Sequence, residues 1–188
     1  MIATTKHQGQ IAKRVSLIVL AAICLLLVVA VVAALKLENL HMYKIPSASM
    51  EPTIDEGDRI AVDETYYVHH TIADGDLVTF RHGENMLVKR VVALAGDTIE
   101  GRDGVLFRNG AALREPYALF SPNNPIPEIE TFESRKIPVG QIFVAGDNRD
   151  KSLDSRATEF GPVFLKDVVG KVKFIYYSRH AGQIGRGF

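Results

Sequence analysis

The strongest constraint on this chain of 188 residues is an uninterrupted apolar run near its start. Residues 15–35 contain 21 residues and no charged side chain. A helix rises about 1.5 Å per residue, so a run of this length can cross a hydrocarbon layer of roughly 30 Å. A cleaved signal peptide is the alternative, but its apolar region is usually about 7–15 residues long and ends in a small-x-small site. This run is longer, and Lys36 follows it without a clear Ala-x-Ala site, so we expect a retained transmembrane anchor.

The charges beside the run predict its orientation. Residues 1–14 carry three basic side chains, and residues 1–35 contain no acidic one. Positive residues near a span tend to remain in the cytoplasm. We therefore expect a cytoplasmic segment at 1–14, a single-pass anchor at 15–35 in the cytoplasmic membrane, and an extracytoplasmic domain at 36–188.

Composition excludes several classes of function. The chain has 22 basic and 22 acidic residues. Without the three basic residues of the N-terminal segment, 19 basic and 22 acidic remain, which lacks the basic surface that nucleic-acid binding requires. The single cysteine, Cys24, lies inside the apolar run, so the outer domain has no disulfide and no thiol nucleophile. No metal-binding motif occurs in the sequence, and we expect no metal and no other cofactor.

The rest of the chain has the pattern of a β protein. Short β-prone segments occur at 58–64, 75–80, 86–94, 141–147 and 170–178, whereas only 164–168 resembles a helical turn. Asp103-Gly104 and Asn109-Gly110 are typical of tight hairpin turns. The sequence therefore predicts a mainly β domain with antiparallel sheets.

Two further segments look irregular. Residues 121–138 contain four prolines, which indicates a surface loop. Residues 180–188 look like a C-terminal tail without a role.

Four short segments carry more reactive and special residues than folding alone requires. They are "IPSASMEPT" (45–53), "GDLVTF" (75–80), "VKRVVALAGD" (88–97) and "GDNRDKSLDSR" (146–156). The last segment has an equally plain structural reading, because Asp and Arg often lock loops by charge-assisted hydrogen bonds.

Lys89 is the candidate base. It lies in a β-prone segment of apolar neighbours, so strand alternation predicts that either Lys89 or Arg90 is partly buried. The alternative is an edge strand whose charges both reach solvent. Burial would lower the pKa of Lys89, and a neutral amine can accept the proton of a serine hydroxyl. The histidines of the outer domain sit in no motif, and we expect them all at the surface: His41, His69, His70, His82 and His180.

With the apolar run in front of them, the four segments together resemble the bacterial type I signal peptidases (leader peptidases), which are membrane-bound Ser/Lys proteases. The resemblance covers nearly the whole chain. It implies a largely antiparallel β fold and a serine endopeptidase that removes N-terminal signal peptides from exported preproteins after Ala-x-Ala sites. The implied partners are signal peptides, the lipid bilayer and the protein-export machinery.

The resemblance also implies roles for individual residues. Ser49, directly before Met50, matches the family's nucleophile, and Lys89 matches its general base. Ser47 would supply its hydroxyl, with the Ser49 backbone N–H, to the oxyanion hole. Ser152 would hydrogen-bond the Lys89 amine.

The remaining implied residues are structural or substrate-binding. They comprise two ion pairs, Asp154 with Arg156 and Asp147 with Arg90, and three residues near the substrate pockets, Tyr43, Ile45 and Val88. The short distance between the lysine segment and residues 146–156 implies that any second β subdomain is small or absent.

Other interpretations stay open at this point. A dedicated peptidase for one substrate class, such as pilins or conjugation proteins, would carry similar motifs, and so would an organelle inner-membrane relative. A self-cleaving repressor also uses Ser and Lys, but it begins with a DNA-binding module. A membrane-tethered β domain that binds a partner and catalyses nothing is the alternative from a different functional class.

Overall fold

The computed structural model describes residues 17–32, 39–120 and 131–188. The chain divides into two units, Met1–Leu40 and His41–Phe188. In the first unit, residues 17–32 form helix α1, whose side chains are exposed. Within the described part of the chain, no helix is long and apolar enough to cross a membrane. The cytoplasmic segment expected at 1–14 and both ends of the anchor expected at 15–35 lie outside the described residues.

The second unit is built almost entirely of strands. In chain order they are β1 (Leu40–Lys44), β2 (Arg59–Asp63), β3 (Leu77–His82), β4 (Asn85–Ala93), β5 (Thr98–Arg102), β6 (Val105–Arg108), β7 (Ala111–Ala112), β8 (Phe132–Lys136), β9 (Gln141–Ala145), β10 (Val163–Phe164) and β11 (Val168–Tyr177). One short helix, α2 (Tyr66–His69), and four 3-10 turns accompany them: Ala48–Met50, Arg149–Lys151, Leu165–Asp167 and Ala181–Gln183.

The strands form two sheets. The larger has seven strands in the order β1-β2-β11-β3-β4-β9-β10, and the smaller has four in the order β7-β6-β5-β8. The strand pairs with a defined register are all antiparallel among the described residues. The mainly antiparallel β fold predicted from the sequence is therefore confirmed, and the second subdomain is present as the small four-stranded sheet.

The two predicted hairpin turns are both present. Asp103 and Asn109 adopt positive φ angles of 48° and 53°, and a glycine with positive φ follows each of them. These angles are the ones that type I′ turns require, and Asn or Asp followed by Gly tolerates them well. The local sequence is thus sufficient to form β5, β6 and β7 as a meander.

Three hydrophobic clusters hold this unit together. The first contains residues from 45–54, β2, β3 and β11, and the second fills the space between the two sheets. The third lies on β3, β4, β9 and β10. Strand β4 contributes to all three, because Val88 packs against the first cluster, Val91 belongs to the third and Val92 to the second.

The expectation of a proline-rich loop over 121–138 is wrong for the C-terminal part of this range. Residues 132–136 form β8, which pairs with β5. Phe132 drives this pairing, because its side chain is buried in the second cluster and stacks on Phe143. Residues 121–130 lie outside the described residues.

The C-terminal residues are not a free tail. The Gly185 N–H donates a hydrogen bond to the Ile175 carbonyl (2.8 Å), and the Phe188 N–H donates one to the Lys173 carbonyl (3.0 Å). The Phe188 side chain packs against the first hydrophobic cluster. The segment expected to be a tail therefore covers the edge of the core beside β11.

Candidate active site

The first motif segment turns sharply after β1. Ile45 is buried in the first hydrophobic cluster, and residues 48–50 form a 3-10 turn in which Ser49 and Met50 are buried. The Ser49 carbonyl accepts a hydrogen bond from the Asn148 N–H (3.1 Å). The backbone of Ser49 is thus held on one side by a buried methionine and on the other by the segment at 146–156.

Lys89 lies directly against this serine. Its Nζ donates a hydrogen bond to Ser49 Oγ across 2.7 Å. Lys89 is only 3% exposed, so of the two strand neighbours the lysine is the buried one. Burial lowers the pKa of Lys89 from 10.5 to about 8, although the nearby Asp154 carboxylate opposes this change. A lysine with such a pKa is partly neutral near physiological pH, as a general base must be.

Ser47 sits beside the same hydroxyl. Its side chain is exposed, and its Oγ lies 3.4 Å from Ser49 Oγ. At this distance the contact is weak. The Ser47 hydroxyl is therefore near Ser49 Oγ and available to another acceptor.

The segment 146–156 is organised by a fully buried carboxylate. Asp154 accepts hydrogen bonds from the Gly146 N–H (2.8 Å) and from Arg156 Nε and Nη2 (2.8 and 3.0 Å). Burial alone would raise the pKa of Asp154, but the Arg156 guanidinium and these hydrogen bonds hold it below its usual value. The expected pairing of Asp154 with Arg156 is therefore present, and it closes the loop on itself.

Ser152 is placed differently from the expectation. It is buried, but its Oγ has no hydrogen-bond partner among the described residues, so the expected bond to the Lys89 amine is absent. A Cβ built on Gly146 would lie 2.2 Å from Ser152 Oγ and 2.5 Å from the Ser49 carbonyl oxygen. Gly146 therefore lies between Ser152 and the backbone of Ser49, and only glycine fits there.

Arg90 ties two motif segments together. Its guanidinium forms a bidentate ion pair with Asp147, at 2.9 and 2.7 Å, and its Nη1 donates to the Gly75 carbonyl (2.9 Å). Tyr117 stacks on the guanidinium at 4.0 Å. Arg90 thus links the segment at 75–80, through the Gly75 carbonyl, to the loop at 146–156, through Asp147.

A third ion pair, between Arg149 and Glu115, was not expected from the sequence. Arg149, 3% exposed, forms a bidentate pair with Glu115 at 2.7 and 3.0 Å, and its Nε donates to the Gly146 carbonyl (3.0 Å). Burial would lower the pKa of Arg149, but Glu115 outweighs it and raises the pKa above the ordinary value. Glu115 lies in "REPYALF", which carries no motif. The one hint in the sequence was Arg149, a basic residue in the segment 146–156 for which neither of the two expected ion pairs provided a partner.

Ser49 lies in the wall of a small cleft. A pocket of about 130 Å³ is lined by the end of β1, Ser47, Ser49 and residues 86–89 of β4. Three of its lining residues are those expected near the substrate pockets: Tyr43, Ile45 and Val88. Strand β9 pairs with β4 only from Arg90 onward, so residues 86–89 have a strand partner on the β3 side alone within the described chain.

The histidines do not take part in this arrangement. All five are exposed, as expected: His41, His69, His70, His82 and His180.

A family model described as "Signal peptidase, peptidase S26" matches residues 14–177. The chain belongs to this family. Its members include a probable signal peptidase I-1 of Synechocystis sp., which is 35% identical over 173 residues, spanning 85% of this chain and 84% of that protein. Signal peptidase I V of Bacillus subtilis is 35% identical over 156 residues, spanning 77% of this chain and 92% of the relative.

The solved structures include a similar signal peptidase I from Enterococcus faecalis V583. It is 34% identical, with a TM-score of 0.44, and the match covers 54% of this chain and 97% of that one. Membership of the signal peptidase family makes the chain a serine peptidase of the signal peptidase I type. The resemblance carried by the four motif segments is thereby confirmed.

Proposed function

We propose that this signal peptidase is a membrane-anchored endopeptidase that cleaves signal peptides from exported preproteins after small-x-small sites, with Ser49 and Lys89 as its catalytic dyad. The observation that carries the proposal is the 2.7 Å contact between Ser49 Oγ and a buried Lys89 amine whose pKa is lowered to about 8. A serine hydroxyl is a weak nucleophile until a base removes its proton.

The chemistry follows from this contact. Neutral Lys89 takes the Ser49 proton as Oγ attacks the scissile carbonyl carbon, and the carbonyl π electrons move onto oxygen. The intermediate then collapses, the C–N bond breaks, and the Lys89 ammonium gives its proton to the leaving amine. Lys89 then takes a proton from a water molecule as the water oxygen attacks the ester carbonyl carbon. The bond from that carbon to Ser49 Oγ breaks, the Lys89 ammonium returns the proton to Oγ, and the signal peptide leaves with a new carboxylate.

The developing oxyanion needs donors. In the proposal they are the Ser47 hydroxyl and the Ser49 backbone N–H. The weak 3.4 Å contact between the two serine hydroxyls supports this role, because little is lost when Ser47 turns toward a substrate oxygen.

Two ion pairs outside the dyad support its geometry. The Asp154–Arg156 and Arg90–Asp147 pairs fix the loop at 146–156, which in turn holds the Ser49 carbonyl through Asn148. In this arrangement Ser152 packs against Gly146, which lies beside the Ser49 carbonyl. Its contribution is to position the dyad rather than to donate to Lys89.

The shape of the cleft supports the substrate preference. A pocket of about 130 Å³ walled by Ile45 and Val88 suits small side chains such as alanine. The free edge of residues 86–89 offers backbone groups to an extended peptide, as in β-strand addition. The proposal places the substrate peptide between this edge and β1.

The sequence supports the membrane location. Residues 15–35 are apolar and uncharged, and Ser49 follows the run by 14 residues. Three basic and no acidic residues precede the run, whereas Lys36 and Lys44 after it are offset by Glu38 and Glu51. The proposed topology is a single-pass anchor in the cytoplasmic membrane, with 1–14 inside and 36–188 outside. Signal peptides, the bilayer and the protein-export machinery are the proposed partners.

Cleavage of a preprotein with an Ala-x-Ala site by the full chain tests the proposal. We expect cleavage by the wild type, none by Ser49→Ala or Lys89→Met, and full activity in Lys136→Met, which removes an exposed lysine on β8. Because only the neutral amine is a base, kcat/KM should rise about tenfold per pH unit below pH 8 and level off above it. Full activity of Lys89→Met, or a rate independent of pH, would exclude the dyad. Equal cleavage after a leucine at the −1 position would exclude the small-residue preference.

A further inference from the structure

A second concavity adjoins the nucleophile cleft and has a different character. Its volume is about 700 Å³, and it shares Lys44, Ile45 and Pro46 with the cleft that contains Ser49. Its other lining residues include Arg59, at the start of β2, and Arg179, just after β11. We call it the basic pocket, after Lys44, Arg59 and Arg179.

The charges of this pocket are not neutralised by neighbours. Lys44, Arg59 and Arg179 are exposed, and none makes an ion pair with any residue in the described part of the chain. One acidic residue, Glu56, lines the same pocket. Three basic groups around one concavity stand out in an outer domain that is otherwise acidic, with 19 basic and 22 acidic residues.

Amphipathic and apolar side chains accompany these charges. The Tyr177 ring lines the pocket, is 48% exposed, and carries the Arg59 guanidinium 5.3 Å above its centre. Met42, 52% exposed, lies two residues before Lys44 on β1, so both point to the same face of the strand. Basic groups beside exposed tyrosine and aliphatic side chains are typical of surfaces at the headgroup level of a membrane.

We propose that the basic pocket binds the phosphate of an anionic phospholipid headgroup and thereby docks the nucleophile cleft on the membrane surface. The inference rests on the proposed function, which requires Ser49 to work beside the bilayer that holds the signal peptide. Lys44–Pro46 separate the basic pocket from the cleft that contains Ser49. A headgroup bound in the basic pocket therefore holds this cleft at a fixed height above the membrane. An acidic stretch of the preprotein has the same charge complementarity, and the experiment below distinguishes it.

Lipid binding by the full chain in neutral-detergent micelles gives a readout independent of catalysis. The test variant combines Arg59→Gln with Arg179→Gln. The control combines Arg114→Gln with Lys136→Gln, which removes the same charge from exposed positions outside the pocket. Fluorescent phosphatidylglycerol should bind the test variant roughly tenfold more weakly than the wild type and bind the control with unchanged affinity. Equal affinity of all three proteins would overturn the proposal.

Activity in vesicles tests the consequence for the enzyme. With a membrane-inserted preprotein, adding phosphatidylglycerol to phosphatidylcholine vesicles should accelerate cleavage by the wild type and the control, but not by the Arg59/Arg179 variant. A soluble peptide in neutral detergent should be cleaved equally by all three. Acceleration that depends on acidic residues of the preprotein, whatever the lipid, would assign the pocket to the substrate and refute lipid binding. If no protein cleaves either substrate, the proposed function fails, while the binding measurement still decides the occupant of the pocket.

Discussion

Replacing Lys89 with methionine should stabilise the folded protein at neutral pH while it abolishes cleavage. The reason is the cost of keeping an ammonium group in a site that is only 3% exposed. Burial lowers the pKa of this lysine from 10.5 to about 8, and each pH unit corresponds to about 1.4 kcal/mol. The charged form therefore costs about 3 kcal/mol of folding free energy. Methionine has similar length and no charge, and it forfeits about 1 kcal/mol of hydrogen bonding to Ser49.

The net gain of about 2 kcal/mol should depend on pH in a defined direction. An unfolded chain keeps the Lys89 proton up to about pH 10.5, whereas the folded protein releases it near 8. Between these values the unfolded state binds more protons, so the free energy of unfolding of the wild type rises with pH. The methionine variant lacks this contribution, and its advantage should be full below pH 8 and shrink steadily above it.

Urea unfolding of the full chain in neutral detergent measures this difference. The chain contains no tryptophan, so far-ultraviolet circular dichroism of the β structure is the appropriate signal. Lys136→Met is the control, since it removes an exposed charge and should leave the free energy of unfolding within about 0.5 kcal/mol of wild type. A methionine variant less stable than wild type at pH 7, or an advantage that does not change up to pH 9.5, would refute the reasoning.

Three other substitutions test separate parts of the site. Ser47→Ala should reduce kcat about 10²-fold or more with unchanged stability, since it removes one proposed oxyanion donor from an exposed position; unchanged kcat would exclude that donor. Gly146→Ala should unfold or inactivate the protein, because its Cβ would lie within 2.5 Å of two other groups, whereas Gly182→Ala has open space and should behave as wild type. Glu115→Ala should cost roughly 3–5 kcal/mol, because its buried arginine partner is left unpaired. The exposed Glu133→Ala is the matched control, and equal urea midpoints for these two variants would contradict the argument.

The parts of the site that could be predicted are those set by local rules. Strand alternation identified the pair in which one basic residue is buried, and the structure selects Lys89. The Asp-Gly and Asn-Gly pairs predicted two hairpins, because Asp, Asn and Gly tolerate the positive φ angles of tight turns without help from distant contacts. The ion pairs within and between the motif segments were implied by resemblance, and both are present.

The parts that could not be predicted depend on distant contacts. Residues 132–136 look like a polar, proline-flanked loop, but they form a strand whose Phe132 is buried in a cluster shared by both sheets. The C-terminal residues pair with β11 through backbone groups, which leave no trace in side-chain pattern. Glu115 lies 34 residues from Arg149, and no periodicity links the two. The expected bond from Ser152 to the Lys89 amine is absent among the described residues, and the orientation of a buried hydroxyl leaves no signal in the sequence.

Strand β4 carries Lys89, the proposed general base, and contacts all three hydrophobic clusters. Substitutions in the hydrophobic core are therefore expected to displace Lys89, so few of them should be tolerated during evolution. A collection of random substitutions selected only for lost cleavage should therefore contain many at apolar positions in every cluster, far from Ser49. For the same reason, heating should abolish activity and β structure together, because no part of the core can loosen while leaving the lysine in place.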